Sequence, residues 1–179
     1  MKKTTSTEID PARLAEVAQK VGTSLEASQD GRGRRIGIAA GRFNGVITLR
    51  LLDGALAALA EAGVERRDVV LAWAPGAFEL PLLAQKMIAA ARPVDAVIAL
   101  GAVIRGDTGH YDLVAGECAR GIQDVQLTTG VPVVFGVLTT ENLDQALVRS
   151  LPDHTNKGRE AALTALEMIS LSDQLASRP

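Results

Sequence analysis

The chain has 179 residues, 47% of them apolar, and a formal net charge of −2, which fits one domain with a sizeable core and excludes a global attraction to nucleic acid or anionic membrane. Its single cysteine, Cys118, rules out an intramolecular disulfide, so a reducing, cytoplasmic setting is expected. No apolar run has the length of a signal-peptide core or a membrane span, so a soluble protein is expected.

Residues 1–34 are polar or small, with a weakly amphipathic stretch over 11–21 and a linker, Gly31-Arg32-Gly33-Arg34-Arg35. They are expected to form a partly flexible extension to a single domain over 35–179. From Arg35 onward, short apolar runs alternate with segments of helical spacing, the pattern of βα units around a parallel sheet.

The first run, 36–40, leads to a helix with Ile47, Leu51, Leu52, Leu56 and Leu59 on one face, stopped by Gly63. The second, 68–73, breaks at Ala74-Pro75-Gly76 before a helix that tolerates Pro81 in its first turn. The third, 96–100, opens into a loop over 101–109 and a helix over about 111–127. The fourth, 131–138, precedes a short helix to about 149, a polar turn and a last helix over about 157–171. Each strand run is continuous rather than alternating in polarity, so helices should cover both faces. The expected fold is a three-layer α/β/α sandwich on a four-stranded parallel sheet, in a flavodoxin-like layout.

In such a sheet, ligands bind outside the carboxyl ends of the strands, where loops converge and helix N-termini face the crevice. The four loops there read Gly41-Arg42-Phe43-Asn44, Pro75-Gly76-Ala77-Phe78-Glu79, Gly101 through His110, and Thr139-Thr140-Glu141-Asn142. Of five aromatics, Phe43, Phe78 and Tyr111 fall in or beside these loops, with Trp73 and Phe135 in the second and fourth strands. A phenyl ring directly after the first strand suits stacking on a flat ligand; taken alone, Phe43 serves equally as a cap on the sheet.

Gly106 to Gly109 stand at the mouth of a helix, where free N–H groups and the dipole favour an anion and Thr108 adds a hydroxyl. By itself the same stretch is an ordinary helix start capped by Thr108, and it has neither Walker nor dinucleotide spacing. Asp107 would repel a phosphate unless its side chain turns outward. His110 follows, and histidine ordinarily titrates where proton transfer at neutral pH is useful; a solvated surface residue is the plainer reading. No Cys, Asp or Glu stands at metal-ligand spacing from His110 or His154, so no metal is expected. Arg149 and Lys157 flank the late polar turn and read locally as helix-end cations.

Taken together, the strings Gly41-Arg42-Phe43-Asn44, Pro75-Gly76-Ala77-Phe78-Glu79, Gly101-Ala102-Val103-Ile104-Arg105-Gly106, Phe135-Gly136-Val137-Leu138-Thr139-Thr140 and Asn156-Lys157-Gly158 resemble the lumazine synthases over residues 36–171. The resemblance implies a cofactor-free transferase of riboflavin biosynthesis that joins a ribitylamino-uracil to a butanone phosphate. Phe43 would stack on the pyrimidine, while Ala77, Phe78, Glu79, Ala102, Val103 and Ile104 hold the ring edge and ribityl chain. Asp107 and Thr108, mainly through backbone N–H groups and the hydroxyl, would bind the phosphate together with Arg149, and His110 would move protons. Phe135, Arg149 and Lys157 would reach a neighbouring subunit's site, making the protein a homo-oligomer with active sites at its interfaces and no nucleic-acid or membrane partner.

The chain departs from the commoner pattern at Gly109 and Gly45, where side chains are usual. It departs also in the turn over 150–157, which keeps only the Asn156-Lys157 end of the turn found in sixty-subunit shells. A pentamer, or a decamer of two, is therefore expected. Two other functions compete. A non-catalytic paralogue would keep the pocket to hold flavin or lumazine, and a flavodoxin-like electron carrier would need a Ser/Thr-rich phosphate loop where this chain has Gly41-Arg42-Phe43-Asn44.

Overall fold

The structure, a computed structural model, describes residues 9–177. Strands β1 (Ile36–Gly41), β2 (Val69–Ala74), β3 (Ala96–Ile104) and β4 (Val133–Thr140) form one all-parallel sheet in the order β2-β1-β3-β4. Parallel neighbours need long crossovers, and helices α2 (Gly45–Glu61), α3 (Leu80–Ile88) and α4 (His110–Thr129) supply them. Helix α1 (Pro11–Ala18) precedes the sheet, and α5 (Leu143–Arg149) and α6 (Lys157–Ala176) follow it.

Successive strand residues face opposite ways, so the continuous apolar runs serve two cores. Ile36, Ile38, Ile98 and Leu100 pack with α2 and α6, whereas Ala39, Val97 and Ala99 pack with α3 and α4. The molecule is thus the expected three-layer flavodoxin-like sandwich. Gly63 and Gly130, at φ of 88° and 71°, close α2 and α4 in the left-handed conformation that glycine adopts at no steric cost.

Four elements differ from the sequence reading, β3 and α6 in length and β2 and β4 in burial. β3 does not stop at Leu100 but continues to Ile104, because Gly101 through Ile104 pair with Val137 through Thr140 of β4. Gly101 therefore lies within a central strand, and Ala102, Val103 and Ile104 are strand residues. The edge strands β2 and β4 are only partly buried, with Leu71, Trp73 and Phe135 about two-fifths exposed. α6 runs five residues past the expected end, to Ala176.

Within the expected extension, α1 buries no residue, but the chain from Glu26 onward lies along α6. The Ser28 N–H donates to Ser170 Oγ at 3.0 Å, Gln29 Nε2 to Glu167 Oε1 at 2.7 Å, and Gln174 Nε2 to the Glu26 carbonyl at 2.9 Å, while Arg34 pairs with Asp173 at 2.6 Å. Among the described residues, no helix is long and apolar enough to cross a membrane.

Candidate active site

In the order β2-β1-β3-β4 the chain steps from β1 to one side and then returns to place β3 on the other, so the loops after β1 and β3 diverge over a topological switch point. A cavity of about 630 Å³ opens there. Phe43 comes from the first loop and Ala77, Phe78 and Glu79 from the second; Ala102, Val103 and Ile104 come from the end of β3, and Thr108 and His110 from the mouth of α4. Asp107 is exposed and does not line the cavity. Tyr111, Leu113 and Val114 complete the wall; a helix starting at His110 turns them toward the same space, a consequence of α4 phase not drawn from the sequence.

Backbone bonds stitch the first loop to the second: the Arg42 N–H donates to the Ala74 carbonyl at 2.9 Å and the Phe43 N–H to the Pro75 carbonyl at 3.1 Å. A side chain ties it to β3, because Asn44 Nδ2 donates to the Ala102 carbonyl at 2.8 Å. Phe43 is left 73% exposed, its ring free to meet a flat ligand. In the second loop, residues Ala77–Glu79 form a 3-10 turn, and Glu79 Oε2 accepts from the Gly76 N–H at 3.0 Å. One carboxylate oxygen of Glu79 is thereby engaged, which fixes the side chain at the cavity edge.

The α4 mouth fits an anion in part. Its N-cap, Gly109, offers no side-chain oxygen, and the Thr108 hydroxyl accepts from the His110 N–H only at a long 3.4 Å. Gly109 has an ordinary φ of −66° with open space around its α-carbon, so its conformation does not require glycine. Arg105 joins the loop to the next one. Its Nε donates to Glu141 at 2.8 Å, its Nη atoms donate to both Asp112 oxygens at 3.1 and 3.3 Å, and its guanidinium lies 4.0 Å from the Tyr111 ring centroid. Hydrogen bonding to Asp112 pushes the Arg105 pKa up further.

Phe135, Arg149 and Lys157 lie elsewhere. They line a second cavity of about 430 Å³ along β4 and the start of α6, and the two cavities share no lining residue. Arg149 folds back on its own helix, Nη1 donating to the Gln145 carbonyl at 3.0 Å. Lys157 pairs with Glu160, one turn on, a residue the sequence reading passed over although its spacing from Lys157 places both on one helix face. His154 lines a third cavity, against α2. Among the described residues, no group of three His, Cys, Asp or Glu side chains is placed to hold a metal ion.

A protein-family profile described as 6,7-dimethyl-8-ribityllumazine synthase matches residues 33–173. That span includes all four strands and the lining of both the Phe43 and the Arg149 cavities. The chain therefore belongs to the 6,7-dimethyl-8-ribityllumazine synthase family, transferase-type enzymes of riboflavin biosynthesis.

Proposed function

We propose that the protein condenses 5-amino-6-(D-ribitylamino)uracil with 3,4-dihydroxy-2-butanone 4-phosphate to give 6,7-dimethyl-8-ribityllumazine. The observation that carries this reading, beyond family membership, is that one cavity gathers the exposed Phe43 ring, Glu79, Thr108 and His110. A stacking face, a hydrogen-bond acceptor, an anion-favouring helix mouth and a proton carrier are what the two substrates need.

Phe43 stacks on the pyrimidine, and the end of β3 with Ala77, Phe78 and Glu79 holds the ring edge and ribityl chain. The phosphate lies at the α4 mouth, by Thr108 and the backbone N–H groups beside Asp107, whose side chain stays outside. The primary amine of the uracil attacks the ketone, and loss of water gives an imine. Phosphate is eliminated, and the ribityl-bearing nitrogen then closes on the remaining carbonyl with loss of a second water. His110 carries protons in these steps. Holding the two substrates together is worth about 7–11 kcal/mol, against a factor of about 10²–10⁴ for one general acid/base, so positioning dominates.

The cavity is short of cations. Among its lining residues only His110 can carry positive charge, whereas Arg149 and Lys157 line the second cavity. We assign these two cations and Phe135 to the neighbouring subunit's site, so that each complete pocket forms at a seam of a pentamer or of a decamer built from two. Incubating the protein with both substrates and following lumazine fluorescence tests the reading. Tight lumazine or flavin binding without turnover would instead establish the storage paralogue.

A further inference from the structure

Besides Asp107, whose exposed side chain does not line the cavity, two carboxylates stand at the α4 mouth, the end to which the proposed function assigns a phosphate. Asp112 lies in the first turn of α4, where an acid competes with any incoming anion for the positive end of the helix dipole. Glu141 follows β4 directly. Neither carboxylate bonds any other cation among the described residues; both are held by Arg105.

The hold is extensive. The Arg105 N–H donates to the Thr140 carbonyl at 2.9 Å, which fixes its backbone against the end of β4. One edge of the guanidinium engages both Asp112 oxygens, its Nε engages Glu141, and its flat face covers the Tyr111 ring, whose residue lines the cavity. A planar fork makes these contacts at once; an ammonium does not. Arg105 itself does not line the cavity, so it acts on a ligand only through its neighbours.

We infer that Arg105 is a positioning residue for the phosphorylated substrate: it turns Asp112 and Glu141 toward itself, halves their negative charge, and so opens the α4 mouth to an anion. The inference rests on the proposed function only for the identity of the anion; the charge argument applies to any phosphate. A purely structural latch predicts something else, namely that removing Arg105 harms both substrates and the turnover step alike, and that removing the acids gives no relief.

The test uses the assembled protein, with inorganic phosphate in calorimetry and both substrates in steady-state kinetics, at low salt. Arg105→Ala is expected to weaken phosphate and raise the KM for the butanone phosphate on the order of fivefold to tenfold, with the uracil KM changed less than about twofold. Adding Asp112→Asn and Glu141→Gln to that variant restores phosphate affinity to within about twofold of wild type. In 1 M salt, where the Debye length is about 3 Å, the deficit of Arg105→Ala largely disappears. Arg105→Lys, which keeps the charge but not the fork, is expected to fall between wild type and Arg105→Ala.

Equal loss on both substrates without rescue in the triple variant overturns the inference, as does failure of the assembled wild type to bind phosphate. Should Arg105→Ala not assemble, Asp112→Asn with Glu141→Gln beside the native Arg105 is expected to tighten phosphate about twofold; unchanged affinity overturns the inference by that route. If the phosphate pattern holds while the wild type forms no lumazine, Arg105 keeps this role and the proposed reaction is what fails.

Discussion

Asn44 reaches across the crevice to the carbonyl of Ala102, at 2.8 Å, from a backbone held at φ 56° and ψ 36°. Among the described residues it is the one non-glycine with positive φ. The left-handed conformation costs an ordinary L-residue about 1–2 kcal/mol, and asparagine tolerates it better than most. It turns the chain from β1 into α2 and aims the amide at β3, so the residue after Phe43 locks the first loop to the end of β3.

Replacing Asn44 separates these two contributions. Asn44→Gly keeps the backbone and loses the bond, whereas Asn44→Ala loses both, and the expected destabilisations are about 1 and about 2–3 kcal/mol. In kinetics, both variants should raise the KM for the uracil more than that for the butanone phosphate, because Phe43 is what loosens. Denaturant midpoints and paired KM measurements check this; an alanine variant as stable as the glycine variant contradicts the backbone argument.

At Gly158 two helices meet backbone to backbone. A Cβ added there would lie 1.9 Å from the Leu51 carbonyl oxygen, so α6 cannot stay against α2. The neighbouring Asn156 caps α6 and also bonds the Arg50 and Leu151 carbonyls while only 1% exposed, which leaves the start of the helix no room to shift. Gly158→Ala is expected to cost about 3 kcal/mol or more, beyond a typical overpacking penalty, since the clash is with backbone. A denaturant midpoint within error of wild type contradicts this contact.

Much of this architecture is written in the chain, and the exceptions have physical causes. Unbroken apolar runs predict helices on both faces because a strand covered twice has no polar side; β1 obeys this fully and β3 in all but its last residue, Ile104. β2 and β4 obey it less, since an edge strand lacks a neighbour to bury it, and sequence order does not reveal which strands are edges. Gly101 reads as punctuation although it pairs with Val137, because the register that makes it a strand residue belongs to β4.

The same limit applies at the site. Phe43, Glu79, Thr108 and His110 were legible because loops after parallel strands must converge. The division of Phe43 and Arg149 between two cavities was not legible from local pattern, and entered the sequence reading only through resemblance. Arg105 directly follows β3 in the chain, yet local pattern does not show that it pairs with both Asp112 and Glu141.

Cys118 gives a pH prediction that needs no substrate. Its thiol is fully buried in the core beneath α4, and burial pushes its pKa up to about 12. In the unfolded chain a thiol titrates near about 8.5. Above that pH the folded state keeps a proton that the unfolded state has lost, so this contribution to stability is intact below about 8.5 and declines as pH rises toward 12. Wild type should therefore lose more stability between pH 8 and 10 than Cys118→Ala does. Parallel curves for the two proteins would show that the thiolate is tolerated in the core.

His110 lines the cavity, and its imidazole makes no hydrogen bond to another described residue. His110→Ala is expected to lower kcat by no more than about 10²–10⁴-fold and leave measurable lumazine formation, because proximity of the substrates survives. Both KM values should change little. An unaltered kcat removes the proton-transfer role; complete loss with intact binding would mean that positioning had been overrated.

The location of Phe43 and Arg149 in cavities with no common residue makes mixed oligomers decisive. Take two variants expected to be impaired, Phe43→Ala and Arg149→Ala, and refold or co-express them in equal amounts. If a site belongs to one chain, every site in the mixture still carries a lesion and activity stays at the level of the variants. If each site pairs the Phe43 of one subunit with the Arg149 of the next, a site is whole when an Arg149→Ala chain supplies the first and a Phe43→Ala chain the second. Random closed rings give that arrangement at about a quarter of the seams, so about a quarter of wild-type turnover is expected. The restored sites should also show the wild-type KM for the butanone phosphate, since an intact pocket is recovered rather than a damaged one improved.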